Sequence, residues 1–383
     1  MTVSLTSLYL KNMHFQYIIE AEDKKTRARA GRIITPHGEI ETPIFMPVGT
    51  LGAIKTLDSS DIAGLGAQIM LSNTYHLFIR PGTALIKKAG GLHKFMHWDR
   101  PLLTDSGGYQ VFSLKEKRKI TEEGVGFQSH LDGTKVFFTP ESVIQAEKDI
   151  GADIIMPFDE CIEYPCEKDD AVKAMQRTHR WLDRCICAHR DTPTNQALFG
   201  IIQGGVFEDL RRESTTFISG SDVDGISIGG LSVGEPIEDM YRMTGIIKEL
   251  IPKEKPLYLM GVGTPANLIE SVSRGVDMFD CVMPTRIARH GSFFTPNGRG
   301  IIKNKEFEED FSPLVEGCEC YACKNHTKAY IRHLFRVKET TAAILMSIHN
   351  IYYLVNLMKQ ARQAILEDRF LDFYNEEMSL IKH

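Results

Sequence analysis

Helix-like and strand-like segments alternate along most of the chain. A segment opened by Pro or Asp runs into a Gly and then into a short apolar stretch that ends on a polar residue or a Gly. The unit reads as helix 58–65, Gly66 and strand 67–72 ending at Asn73, and as helix 140–150, Gly151 and strand 153–158 ending at Asp159. It returns as helix 265–274, Gly275 and strand 277–282. Apolar runs at 41–48, 101–104, 197–202, 225–228 and 257–260 fill the same role. Strands separated by helix-length segments are the pattern of a parallel sheet wound by crossover helices. Roughly eight such units within 383 residues point to one (β/α)8 barrel.

A barrel of this kind carries its chemistry at the C-terminal ends of its strands. Those ends hold Asn73, Asp105, Asp159, Gln203, Gly230, Gly261 and, inside the last strand, Asp280. Any one of them alone could simply cap the next helix. Together they form a polar cup suited to a nucleobase-like heterocycle. Asp280 sits in the apolar stretch Val276-Asp277-Met278-Phe279-Asp280-Cys281-Val282, where a carboxylate loses hydration and needs a reason to be. Pro284, Arg286, Arg289 and His290 follow at once, so an anionic partner is expected beside it. In Thr104-Asp105-Ser106-Gly107-Gly108-Tyr109-Gln110 the Gly pair lets a ligand approach the backbone and Tyr109 offers a ring to stack on. The plainer alternative is a tight turn with a core Tyr.

Composition adds bounds. The net charge is −5, so nucleic-acid binding has to come from a local basic patch such as Arg286, Arg289, His290, Lys303 and Lys305, which otherwise is a solvated loop. Residues 1–15 lack an apolar leader and no run approaches a membrane span, which makes the cytoplasm the expected compartment. There the eight cysteines are expected as thiols or metal ligands.

Gly261-Val262-Gly263-Thr264-Pro265 resembles the start of a dinucleotide fingerprint, but the further βα units such a domain needs do not follow it. Thr264 as cap and Pro265 as first helical residue explain the segment more simply. Cys185, Cys187 and His189 have the residue types of a metal site, yet on a helix i and i+2 point to different faces. Cys318-Glu319-Cys320-Tyr321-Ala322-Cys323 is different. Three thiolates at that spacing suit a closed tetrahedral structural zinc site that needs one more ligand, with His326, His333 and His349 as candidates.

The Thr104–Gln110 segment, Phe158-Asp159-Glu160-Cys161, Ile202-Gln203-Gly204-Gly205, Gly229-Gly230-Leu231-Ser232-Val233-Gly234-Glu235, Asp280 and the cysteine knuckle together closely resemble the bacterial queuine tRNA-ribosyltransferases, also called tRNA-guanine transglycosylases. The likeness runs from about residue 14 to about 375. It implies a (β/α)8 barrel over 14–305, a zinc-binding subdomain at 306–350 and a C-terminal helix at 351–375 that completes the barrel. It implies exchange of guanine at the wobble position (34) of certain tRNAs for 7-aminomethyl-7-deazaguanine (preQ1), in queuosine biosynthesis. By the same resemblance Asp280 is the nucleophile and Asp105 the general acid/base. Asp159, Gln203, Gly230 and Leu231 hold the base edge, with Tyr109 and Met260 on its faces. Cys318, Cys320, Cys323 and His349 bind one structural Zn2+, and Arg286, Arg289 and His290 meet the anticodon loop.

Exchange in place of hydrolysis requires two displacements, hence one nucleophilic and one proton-carrying carboxylate. Val233 with Cys161 resembles the form that takes the aminomethyl base, although a contact of methyl size discriminates by only ~1–3 kcal/mol and queuine stays open. The family implies a homodimer, for which Tyr330, Ile331, His333, Leu334 and Phe335 offer an apolar stripe that also reads as a core helix face. A hydrolase on free nucleosides and a non-catalytic partner subunit are the competing readings. Retention of both Asp105 and Asp280 speaks against the second.

Overall fold

The computed structural model describes residues 15–114 and 118–381. All but Phe15 of the N-terminal stretch considered above lies outside the described residues. Sixteen strands occur among them, and half form the barrel. The first three, β1 (Gln16–Glu22), β2 (Arg29–Thr35) and β3 (Gly38–Thr42), make an antiparallel sheet ahead of it. The barrel strands are β4 (Ile44–Pro47), β5 (Met70–Asn73), β6 (Leu102–Asp105), β10 (Ile154–Ile155), β11 (Ala197–Ile202), β12 (Gly225–Ile228), β13 (Leu257–Leu259) and β14 (Met278–Cys281). A small antiparallel sheet, β7 (Arg118–Ile120), β8 (Val125–Gln128) and β9 (Lys135–Phe138), interrupts the series, and the hairpin β15 (Ser292–Thr295) and β16 (Gly298–Ile301) follows it.

The barrel strands are hydrogen-bonded in parallel in the order β4-β14-β13-β12-β11-β10-β6-β5. A parallel bridge between Val48 and Leu71, with the Gly49 N–H donating to the Leu71 carbonyl at 2.7 Å, joins the two ends and closes the ring. Every residue of β4, β5, β6, β11, β12 and β13 is buried, because helices cover the outside and side chains fill the inside. That is why these strands read as continuous apolar runs. Inside, Met46, Leu71, Leu103, Phe199, Tyr258 and Met278 cluster with Ile33 of β2 and Ile40 of β3, so the N-terminal sheet plugs the barrel floor.

The helix-Gly-strand grammar is visible in the caps. Thr139 accepts from the Ser142 N–H, Pro140 takes the first turn, and Gly151 ends the helix Pro140–Ile150 at φ +79°, a conformation that disfavours any side chain. Thr264 likewise caps the helix Pro265–Ser273 by accepting from the Asn267 N–H. The three antiparallel pieces were not expected. β1 alternates between exposed and half-buried residues and so carries no apolar run to announce it.

The expectation that no apolar run approaches a membrane span needs correction. The helix Thr340–Leu366 is long and apolar enough by length and composition. It is a core helix that packs on β1, β2, β4 and the helix Met283–Arg289, with Met346, Leu354, Met358 and Ala361 buried. The same helix runs unbroken through residue 350, so a division of the chain at that point falls inside one rod.

Candidate active site and metal cluster

Asp280 stands near the end of β14, paired in register with Met46 of β4. One of its oxygens, Oδ1, accepts from the Tyr258 hydroxyl at 2.5 Å and from the Gly261 N–H at 2.8 Å. The half-buried carboxylate faces a cavity of about 320 Å3 at the mouth of the barrel. Burial raises its pKa above the ordinary value, and the Tyr258 and Gly261 hydrogen bonds oppose the rise.

Asp105 ends β6 and is reached from Asp280 across the strands β4 and β5. Its Oδ1 accepts from the Thr74 N–H at 2.9 Å, and its Oδ2 accepts from Gln110 Nε2 at 2.9 Å and from the Asn73 side-chain amide. Burial pushes its pKa up to about 6, against these donors and with a smaller push from Asp280. Asp159, also buried, accepts from Ser106 Oγ at 3.0 Å and from Gln203 Nε2 at 2.7 Å. Burial likewise lifts it to about 6. A carboxyl poised near neutrality can hold and release a proton during a reaction.

The base of the cup is built by backbone. Gly230 has φ +62°, and a Cβ there would stand 2.4 Å from Gln203 Oε1, so no side chain fits. The Gln203 Oε1 atom is buried without a hydrogen-bond partner in the protein, an acceptor left over beside the cavity. Tyr109, Cys161, Leu231, Val233 and Met260 line the same cavity, as does Arg286. Burial pushes the Cys161 thiol up to about 12, which keeps it neutral. Arg289 and His290 do not line the cavity. They lie on the helix Met283–Arg289 and at its C-cap, where Arg286 and His290 are exposed and Arg289 is half-buried. Burial first, and Arg286 second, depress Arg289. Lys303 sits 5.5 Å over the Phe335 ring and Lys305 is exposed.

Two supporting residues escaped the sequence reading. Arg211 is wholly buried and donates to the carbonyls of Ile202, Gly205, Gly229 and Gly230, which fixes the cup floor. It lies within Glu208-Asp209-Leu210-Arg211-Arg212-Glu213, which reads as a charged helix surface. Tyr258 looks like a core residue inside Leu257-Tyr258-Leu259, and only the fold brings its hydroxyl to Asp280.

The cysteine knuckle and His349 form a second cluster. The His349 Nδ1 atom lies 3.8, 3.5 and 3.4 Å from the sulfurs of Cys318, Cys320 and Cys323. Ligands on one tetrahedral zinc with Zn–S ~2.3 Å and Zn–N ~2.0 Å stand about 3.5 Å apart, so the spacing fits a metal ion. His349 Nε2 is 2.9 Å from the Phe294 carbonyl, which takes its N–H and turns the Nδ1 lone pair toward the sulfurs. The other two candidates are outside the cluster: His326 stacks on Tyr330, and His333 is not among its members. Cys185 is buried and Cys187 exposed on one helix, and His189 meets the Gln196 carbonyl at 3.1 Å.

A closed parallel barrel with carboxyl groups converging at its mouth defines the class of (β/α)8-barrel enzymes. A family profile for queuine tRNA-ribosyltransferase matches residues 23–382, and the chain belongs to that family. It is 56% identical over 355 residues to a queuine tRNA-ribosyltransferase of Desulforamulus reducens, covering 93% of this chain and 95% of the relative. The corresponding protein of Thermoanaerobacter pseudethanolicus is 55% identical over 358 residues, with 94% and 95% covered. That of Listeria innocua is 54% identical over 361 residues, again with 94% and 95% covered.

Proposed function

We propose that the protein exchanges the guanine at the wobble position of tRNA for a 7-deazaguanine, as a pentosyltransferase of queuosine biosynthesis. The observation that carries this reading is the pairing of a carboxylate bonded on one oxygen only, Asp280, with a proton-holding carboxyl, Asp105, at one cavity mouth.

In the first step the Asp280 carboxylate bonds to C1′ of the ribose as the C1′–N9 bond to guanine breaks. The departing electron pair stays with guanine, which takes a proton from Asp105. In the second step the incoming base gives its N9 proton to Asp105, and its nitrogen bonds to C1′ while the ester to Asp280 breaks. Both carboxyl groups are thereby restored, and ribose keeps its configuration. Asp159, Gln203, Gly230 and Leu231 hold the edge of the base, and Tyr109 and Met260 cover its faces. Val233 and Cys161 border the space for the 7-substituent, which supports the aminomethyl base preQ1. The target guanine has to leave its stack to reach the cavity. Arg286, Arg289 and His290 meet the flanking RNA just outside.

Cys318, Cys320, Cys323 and His349 hold one Zn2+ as a structural ion, because a three-Cys, one-His set leaves no position for water. The barrel then occupies 14–305, the metal subdomain 306–350, and the rest of the long helix with its successor, 351–375, completes the barrel. A homodimer through the metal subdomain is supported by exposed Phe311, Tyr321 and Tyr330, whereas Ile331 and Leu334 of the predicted stripe turn inward. A tRNA substrate supports a cytoplasmic enzyme that works away from membranes.

Incubation with tRNA and radiolabelled guanine tests the reading. Label is expected in tRNA, and folded, zinc-loaded protein that transfers none overturns it. Cys320→Ala or chelation is expected to lower the melting temperature before it lowers turnover per folded molecule.

A further inference from the structure

A second cluster of metal-ligating type lies at the opposite end of the barrel from the reaction. Asp153 immediately precedes β10, and its buried carboxylate stands on the floor, where Oδ2 accepts from the Leu102 N–H at 2.9 Å. His37, in the turn between β2 and β3, places Nδ1 2.7 Å from Asp153 Oδ1. His93, in the helix Leu92–Met96, places Nε2 3.2 Å from Asp153 Oδ2. All three ligand atoms lie within 4.8 Å of one another.

We propose that His37, His93 and Asp153 form a binding site for one late first-row divalent ion such as zinc, cobalt or nickel, separate from the cysteine cluster. Two imidazoles and a carboxylate are the donor set such ions prefer, whereas magnesium and calcium favour oxygen alone. Adjacent ligands on an ion with bonds of ~2.0–2.2 Å stand about 2.9–3.4 Å apart; the His93 separation of 3.2 Å falls within that spacing and the His37 separation of 2.7 Å falls just short of it. His93 Nε2 is buried and makes no well-directed hydrogen bond, with Asp153 Oδ2 at 3.2 Å as its ion-pair partner. Asp153 is fixed from behind by the Leu102 N–H, as ligating carboxylates usually are.

The rings of His37 and His93 stack at 3.6 Å with 16° between their planes. An ion lies in the plane of each ligating ring, so coordination tilts one ring out of the stack. His37 is the ring free to tilt, since its side chain is 41% exposed and that of His93 only 9%. The exposed side of His37 also gives the ion its way in and leaves positions for water. Such an ion ties the β2–β3 turn, the 92–96 helix and β10 together, and it stabilises the folded chain by mass action.

The test uses full-length protein loaded with one equivalent of zinc and then titrated with Co2+ near neutral pH. A second equivalent is expected, with weak visible bands and no thiolate charge-transfer absorption, accompanied by a rise in melting temperature. His37→Ala is expected to weaken that second equivalent at least tenfold and to abolish the cobalt-dependent rise, with guanine exchange unchanged. On the wild type itself, added Co2+ is expected to protect His37 from diethyl pyrocarbonate. No second equivalent, a second equivalent undiminished in His37→Ala, or unchanged modification of His37 overturns the proposal.

Discussion

Asp277, which immediately precedes β14, and Asp280, near its end, stand three residues apart and are satisfied in opposite ways. Asp277, on the floor side, takes donors on both oxygens: the Tyr17 hydroxyl and Arg29 Nε on Oδ1, Arg29 Nη2 and the Leu257 N–H on Oδ2. Asp280, on the mouth side, takes the Tyr258 hydroxyl and the Gly261 N–H on a single oxygen. A buried carboxylate with every lone-pair direction filled is part of the scaffold. One satisfied on a single oxygen and open to a cavity is stored for a reaction partner.

Breaking each side of this contrast gives different losses. Asp280→Asn is expected to reduce guanine exchange by about 10^4-fold or more and to abolish a covalent RNA adduct on denaturing gels, with little change in the urea midpoint. A surviving adduct places the nucleophile elsewhere. Asp277→Ala is expected to do the reverse. It strands the buried Arg29 guanidinium, costs about 3–5 kcal/mol in denaturant unfolding, and leaves the turnover of the folded fraction near normal.

Asp159 sharpens the contrast through pH. Its folded pKa of about 6 exceeds the ordinary carboxyl value, so the folded state binds its proton more tightly than the unfolded one. That contribution is complete in acid and is lost as pH rises through about 6. In Asp159→Asn the Gln203 amide can turn to accept from the new donor. The variant should therefore keep more of its stability at pH ~8, on the order of 1–3 kcal/mol relative to wild type, and lose that advantage near pH ~4. Parallel stability curves refute this. The smallest effect is expected for Arg286→Ala. It should weaken tRNA binding by about 1 kcal/mol and reduce the slope of log affinity against log salt by about one, measured by filter binding.

Much of this was legible in the sequence. An apolar run closed by a polar residue or a Gly is visible in one dimension, and that signal marked all the barrel strands, with Asp105, Asp159 and Gln203 at their ends and Asp280 inside the last of them. The partners of those groups were not legible. Arg29 lies 248 residues from Asp277, and Arg211 is buried only because carbonyls from two strand ends converge on it. The N-terminal sheet escaped because its first strand alternates with polar residues and covers the barrel floor without entering the repeating unit. The long helix that carries His349 is predicted at 340–365 and found at Thr340–Leu366, but His349 stayed one of three candidate histidines because spacing alone does not show which of them returns to the knuckle.

That helix has a mechanical consequence. Next to His349, whose Nε2 meets the Phe294 carbonyl, Asn350 accepts from the Phe294 N–H and donates to the carbonyls of Pro284 and Ser292. Thirteen residues beyond His349, about 20 Å along the rod, Arg362 grips the carbonyls of Gly31 and Thr42 on the floor sheet. The helix therefore works as a tie bar, bolted at one end by the cysteine cluster and anchored at the other in the floor. The segment that carries Arg286 is held at the His349 end, where Asn350 donates to the Pro284 carbonyl, so the placing of that cation follows the seat of the rod.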